Sequence, residues 1–277
     1  MLKSIFYLID LFIPVTCKGK TSVNYQNFGN FSPKGDNDYL LKKMARSFHS
    51  SFSNYVKRLT KAERNNFKLD SQLKQVLVGT ILGDVYMRRF SKKANVRVVF
   101  RQGSINASYL LHLYSLFQEF VIAPPSVSTI TDKITGKIRY NLSFATLALP
   151  CFNELYESFY LDGKKIIPNN IADLLTSVSL AYWIMDDGSF TGSGLKLHTN
   201  AFSLEELNLL NEALEKNFSI KATINISNRE KSQYNLYISK NQMSLVKDLV
   251  VKHMHPDMLY KLNIDSPLLL CPSGQRQ

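Results

Sequence analysis

Two aspartates at matching places in two apolar segments are the residues of this sequence best suited to chemistry. The segment LVGTILGDV occupies 77–85 and LAYWIMDDG occupies 180–188. Each has helical spacing and ends in an acid at its eighth position, Asp84 in the first and Asp187 in the second. A carboxylate at a helix C-terminus faces the negative end of the helix dipole and costs a few tenths to about 1 kcal/mol. Such a cost met twice, at equivalent positions, points to a cation held there. Gly79 and Gly83 lie four apart, so both fall on one helix face and let a second helix approach closely. If the two segments pack there, Asp84 and Asp187 end side by side, and like charges so close need a metal or a shared proton. Both are hard oxygen ligands, which favours Mg2+ over zinc. The alternative, two unrelated buried helices that end in Asp, would not repeat the position of the acid.

The elements that must carry these acids repeat as well. The patterning predicts a helix over 71–84, a strand over 96–101, a helix over 107–120, a hairpin over 129–144 turning near Thr135 and Gly136, and a helix over 151–160. After Pro168 the order recurs: a helix over 177–187, a strand over 195–201, a helix over 204–218, strands near 220–226 and 234–239, and a helix over 241–252. The period is roughly 100 residues. The expected fold class is therefore α+β, two pseudo-twofold αββαββα repeats over 71–168 and 169–265, with a tail over 266–277.

The open faces of the strands carry cations and amides. Period-2 alternation sets Arg97 and Arg101 opposite Val96, Val98 and Phe100, and sets Lys137, Arg139, Asn141 and Ser143 opposite Leu142 and Phe144. In the second repeat it sets Lys196, His198 and Asn200 opposite Leu195 and Leu197. Lys221, Thr223 and Asn225 oppose Ala222 and Ile224, and Gln233, Asn235 and Tyr237 oppose Leu236 and Ile238. An ordinary solvated face would hold Glu and Asp about as often as Lys. These faces hold almost none, and their side chains suit phosphates and base edges of a major groove. The chain agrees as a whole: 34 Lys+Arg against 22 Asp+Glu give a net charge of +12 over 277 residues. Residues 1–70 contribute twelve of those cations against five acids and read as a basic extension, loop-like or disordered over 18–38, with a basic helix over 42–59. Either it is a solvated arm or it adds a nucleic-acid contact.

Other chemistries find little support. Cys17, Cys151 and Cys271 are far apart, with no pair at zinc spacing, so neither a disulfide scaffold nor structural zinc is expected. His253 and His255 read as surface histidines. No apolar run approaches the roughly 20 residues of a membrane span. The apolar stretch at 5–15, broken by Asp10 and Pro14, is a short buried or read-through segment or a weak targeting signal. The Gly163-Lys164-Lys165 step lacks the upstream glycine of a phosphate-binding loop.

The two motifs resemble the paired motifs of the LAGLIDADG homing endonucleases, and the chain is similar to the monomeric double-motif, omega-type group of mitochondrial introns. The resemblance covers about 72–264 and extends to GKKIIPNN at 163–170, LHTNAFS at 197–203 and MLYKL at 258–262. It implies two central helices under two antiparallel sheets that form a saddle over DNA. It also implies Mg2+-dependent hydrolysis of one phosphodiester per strand, with Mn2+ able to substitute, by a monomer. Asp84 and Asp187 would bind the metals, helped by the carbonyls of Gly83 and Asp186. Lys165 and Lys261 would stand near the active site, with Lys164 the alternative to Lys165, and Gln102 and Asn200 would position water. Three positions depart from the family pattern: Val85 replaces the glycine after the first acid, Asp186 a small residue, and Asn200 the more usual glutamine.

A site-specific double-strand DNA endonuclease is the favoured reading. A group I intron RNA maturase of the same fold keeps the basic faces without needing the acids, and a DNA-binding regulator would have lost them. The termini, Met-Leu and Gly-Gln-Arg-Gln, do not suit an intein. The resemblance places synthesis in a mitochondrion, with a plastid second, and double-stranded DNA, with its own intron RNA, as partner rather than a membrane.

Overall fold

Both motif segments are apolar on every side, and a helix of that kind must be buried all round. The computed structural model describes residues 59–132 and 135–265, and in it the two helices pack against each other at the centre. The first, α2 (Ser71–Leu82), follows a short α1 (Lys61–Asn65) that is closed by a Thr60–Glu63 capping box. Its partner, named α6 in chain order, spans Ser177–Asp187. Side chains cap both N-termini: Asp70 accepts from the Leu73 amide at 2.7 Å, and Thr176 from the Ser179 amide at 3.2 Å. Residues Val76 to Leu82 and Ser179 to Met185 are all buried.

The glycines explain how close the helices come. A Cβ on Gly79 would lie 2.2 Å from the Ser179 carbonyl oxygen, and one on Gly83 would lie 2.4 Å from Asp186 Cβ. No side chain larger than hydrogen fits at either place without moving backbone. The helix α2 stops two residues earlier than the periodicity predicts, because Gly83 leaves helical geometry at φ −97°, ψ −130°. Asp84 thus sits just beyond α2, whereas Asp187 is the last residue of α6.

Each motif helix feeds a four-stranded antiparallel sheet. The first holds β1 (Tyr86–Arg89), β2 (Val96–Gly103), β3 (Ser126–Thr131) and β4 (Ile138–Ala145), in the order β1-β2-β4-β3, with α3 (Ala107–Leu116) between β2 and β3. Then come α4 (Asn153–Phe159), a two-stranded ribbon of β5 (Tyr160–Leu161) and β6 (Lys164–Lys165), and α5 (Ile171–Leu174). The second sheet holds β7 (Gly188–Phe190), β8 (Leu195–His198), β9 (Ala222–Asn228) and β10 (Gln233–Ile238), in the order β7-β8-β10-β9. The helix α7 (Leu204–Phe218) lies between β8 and β9, and α8 (Met243–Val250) precedes a 3-10 stretch at Pro256–Leu262. The two orders are the same, so the α+β class and the pseudo-twofold repeat hold.

The strands β1 and β7 and the ribbon β5–β6 have no counterpart among the segments assigned from sequence. They are two to four residues long, too short for alternation to register. The helices expected at 107–120, 151–160 and 241–252 are each part 3-10, leaving α3, α4 and α8 as shorter α-helical cores. The expected 5–15 segment, the 42–58 part of the basic helix, the 266–277 tail, Cys17 and Cys271 lie outside the described residues. Cys151 is a free, half-buried thiol. Among the described residues no helix is long and apolar enough to cross a membrane.

Candidate functional site

The ends of α2 and α6 bring three carboxyl groups together, and two lysines close on them. Lys165, carried on β6, donates to the carbonyls of Gly83 and Val85, each at 2.9 Å. Lys261, in the 3-10 stretch, donates to the carbonyls of Met185 and Asp186, the latter at 2.7 Å. The arrangement is the same in both halves: an ammonium group caps the orphan carbonyls at the C-terminal end of a motif helix. The cation that the misplaced acids called for is thus supplied in part by the chain itself. Lys261 is buried, and burial lowers its pKa against the upward pull of Asp186, Asp187 and Asp84. Lys165 shifts the same way for the same main reason, opposed by Asp187, Asp186 and Asp84.

The acids occupy three different environments. Asp84 is exposed, and its Oδ2 accepts from Gln102 Nε2 at 2.8 Å. Asp187 is partly buried. Burial, then the charge of Asp84, push its pKa up to about 7, while Lys165 and Lys261 hold it back. Among the described residues no hydrogen bond reaches its carboxyl. Asp186 keeps part of its surface open, but protein packed around its carboxyl displaces enough water to push its pKa well above the usual range, with Asp84 adding repulsion. Its side chain crosses to the first repeat. Oδ1 accepts from Tyr109 Oη at 2.9 Å and from Gln102 Nε2 at 3.3 Å, and Oδ2 accepts from the Asp84 amide at 3.2 Å. The resemblance implies only a carbonyl role for Asp186; in the structure that carbonyl accepts from Lys261.

Gln102 is buried at the end of the core-facing row of β2, with Asn106 donating to its carbonyl at 3.1 Å. Asn200 is not its counterpart. Continuing the ladder Tyr86–Val99 brings Asp84 level with Arg101, and continuing Gly188–Leu197 brings Asp187 level with His198. One residue further along stand Gln102 and Thr199. Thr199 is buried, and its hydroxyl donates to the Tyr234 carbonyl at 3.1 Å, while Asn200 is exposed in the following turn. The one-residue error turns a core-facing position into an open one, as any register slip does.

The expected open faces are largely open. Arg97, Arg101, Lys137, Arg139, Thr223, Asn225 and Lys221 are exposed, and Asn141, Lys196, His198 and Gln233 are intermediate. Some are engaged: Lys221 pairs with Glu215 at 3.1 Å, Arg139 lies 3.5 Å from Asp132, and His198 Nε2 lies 3.0 Å from Ser189 Oγ. Asn235 departs from expectation. It is buried between His198 on β8 and Asn225 on β9, and its Oδ1 has no hydrogen-bond partner.

Tyr109 and His112, both on α3, escaped the sequence reading because they look like ordinary core residues of an amphipathic helix. Only their contacts across the repeats set them apart. His112 Nε2 lies 2.8 Å from Tyr182 Oη, and its ring packs 5.4 Å from that of His255, which is therefore not a simple surface histidine. Burial, then the charge of His255, push the pKa of His112 down to about 4. The unfolded chain takes up this proton near pH 6.5 and the folded chain only near 4, so the His112 contribution to stability falls as pH drops through that window, by up to about 3 kcal/mol. Asp186 and Asp187, whose pKa values burial raises, act in the opposite sense over the same window, so the contribution is read as a difference: between pH 7 and 4.5, urea unfolding of His112→Gln should lose less stability, or gain more, than wild type. An unchanged slope in the variant would reject the assignment.

The oxygen donors here fit a hard divalent cation. Among the described residues no three or more His, Cys, Asp and Glu side chains are grouped to hold a metal. A cation would therefore rest on Asp84 and Asp187, helix-end carbonyls, water and substrate, the sparse protein ligation usual for Mg2+. Residues 74–246 match the model of the LAGLIDADG DNA endonuclease family. The chain belongs to that family. Among its LAGLIDADG relatives, a cytochrome b mRNA maturase bI2 of Debaryomyces hansenii is 33% identical over 199 residues, covering 71% of this chain and 76% of the relative. An intron-encoded endonuclease ai4 of Dictyostelium discoideum is 40% identical over 134 residues, covering 48% and 82%. Among solved structures, the homing endonuclease I-WcaI bound to its DNA recognition sequence superposes with a TM-score of 0.70 at 27% identity, over 76% of this chain and 96% of that one. The homing-endonuclease fold follows.

Proposed function

We propose that this chain is a monomeric, site-specific double-strand DNA endonuclease of the intron-homing kind. One observation supports it above others: two acids meet at the ends of packed helices, each end carries a lysine, and both lie at the edge of open basic sheets. The I-WcaI likeness, found with DNA bound, supports the same reading. Asp84 and Asp187 would hold Mg2+, with Mn2+ as a substitute. A metal held there would supply Lewis acidity to the scissile phosphate and to a water. Lys165 and Lys261 keep positive potential beside the phosphates, where negative charge builds up during hydrolysis. The open cations and amides of β2, β4, β8, β9 and β10 grip the backbone and read base edges in the major groove. The repeats are proposed to span 71–168 and 169–265, and the chain to be made in a mitochondrion. A basic 1–70 segment would add an accessory contact.

The test is incubation with Mg2+ and a plasmid carrying the intron-less allele of the host gene. Linearisation at one site is expected, and binding should weaken steeply with salt through counterion release. No cutting, or binding indifferent to ionic strength, would reject the proposal. The maturase relative favours a second activity, assistance to the splicing of a group I intron; stimulated splicing without cleavage would make it the main one.

A further inference from the structure

The two halves of the site repeat in backbone but differ in side chains. At the seventh motif position the first repeat has Gly83 and the second has Asp186, and the pair interlocks: a Cβ on Gly83 would meet Asp186 Cβ at 2.4 Å and Oδ2 at 2.8 Å. The glycine leaves room for a carboxyl that belongs to the other repeat. We infer that Asp186 is a positioning residue which, with Tyr109 and Gln102, presets the Asp84 half of the site and not the Asp187 half, so that the two strands of a bound duplex are cut at unequal rates.

Asp186 touches Asp84 by two routes. It accepts the Asp84 amide directly at 3.2 Å, and it shares the Gln102 amide group, 3.3 Å away, which also donates to the Asp84 carboxyl at 2.8 Å. Both anchors are themselves held. Tyr109, fully buried, donates to Asp186 at 2.9 Å, and Asn106 donates to Gln102 at 3.1 Å. The backbone and carboxyl of an otherwise exposed acid are thus fixed before substrate arrives, and a misplacement of about 1 Å can cost on the order of a hundredfold in rate. Among the described residues nothing equivalent serves Asp187. The residue level with Gln102 is Thr199, whose hydroxyl is spent on the Tyr234 carbonyl. The residue level with Asp186 is a glycine.

This inference rests on the nuclease reading, and the experiment separates the two. A duplex with a different dye on each strand is cut under single-turnover conditions, with affinity measured in parallel. Wild type should cut one strand at least about threefold faster. Asp186→Ala should slow that strand by about tenfold or more, leave the other within about threefold and leave affinity unchanged. Asp186→Asn keeps one of the two acceptor oxygens; with that oxygen on the Asp84 amide the new NH2 faces Tyr109 Oη, which can accept, so the rate should be restored in part. Tyr109→Phe, which removes one hydroxyl, should slow the same strand to a lesser degree, and it carries the test if Asp186→Ala fails to fold. Hydrogen exchange at the Asp84 amide provides a readout independent of cutting: protection in wild type and in Asp186→Asn, loss in Asp186→Ala. Equal slowing of both strands, unaltered rates in Asp186→Ala and Tyr109→Phe, or an unprotected Asp84 amide in wild type would overturn the inference. A wild type that cuts neither strand would instead defeat the nuclease reading, and amide exchange would still decide whether Asp186 holds Asp84.

Discussion

Asp84→Asn and Asp187→Asn, made singly, should each abolish double-strand cleavage and leave affinity for the recognition duplex nearly unchanged. The substitutions preserve size and replace an ionisable carboxyl by a neutral amide, so the packing of α2 against α6 is not disturbed. What is lost is an anionic oxygen for a hard cation. An amide oxygen is a much weaker donor, and several kcal/mol of transition-state stabilisation amount to at least about a hundredfold in rate. Binding should survive because the open cations of the sheets remain. It should tighten slightly in Asp187→Asn, since a charge that repels both Asp84 and phosphate is gone. Gel-shift and cleavage assays on one labelled duplex check both halves of the expectation, and full activity in both variants would reject the site.

Gly79→Ala is the second large effect, and its sign separates two arguments. Helix propensity alone makes alanine better than glycine in a helix interior by about 1 kcal/mol. The packing argument runs the other way. The new methyl carbon would meet the Ser179 carbonyl oxygen at 2.2 Å and Tyr182 Cβ at 2.9 Å. These atoms belong to the backbone and root of the facing helix and cannot swing aside, so the helices must part. Overpacking of this kind costs about 3 kcal/mol, which leaves a net loss of about 2 kcal/mol and a melting temperature lower by roughly 4–8 °C. A thermal melt of Gly79→Ala at or above wild type would show that the helix pair is not the tight interface described. Gly79→Leu should not fold.

Much of this architecture can be read from residues that obey one rule at a time. The helix α7 begins at a Ser203–Glu206 capping box and ends where its apolar stripe ends, so its limits are visible in sequence. The helices α2 and α6 announce themselves by caps, apolar runs and terminal acids. The alternation in β2, buried at Val96, Val98, Phe100 and Gln102, follows the predicted faces. What escapes is whatever depends on a partner far along the chain. The strand β1 has four residues, and only Met87 in it is buried, so its pairing with β2 defines it more than its composition does. Asn200 in place of Thr199 is a register error that only the ladder to β7 corrects. The side chain of Asp186 reads as a departure from a motif until Tyr109 and Gln102 are seen on it. Tyr109 itself carries no local sign of function, because its one informative contact is made with a residue 77 positions away.

The lysine caps have a consequence for the order in which the protein is made. Gly83 is finished by Lys165, 82 residues downstream, and Asp186 by Lys261, 75 residues downstream. A ribosome therefore releases each motif helix long before the cation that neutralises its end. Until then the terminal carbonyls of each motif helix lack the ammonium group that meets them in the complete fold. The first half-site closes only when the ribbon after α4 has formed, and the second only when the last described turn has. Neither helix end can be completed before its lysine, some 80 residues further along the chain, has been made.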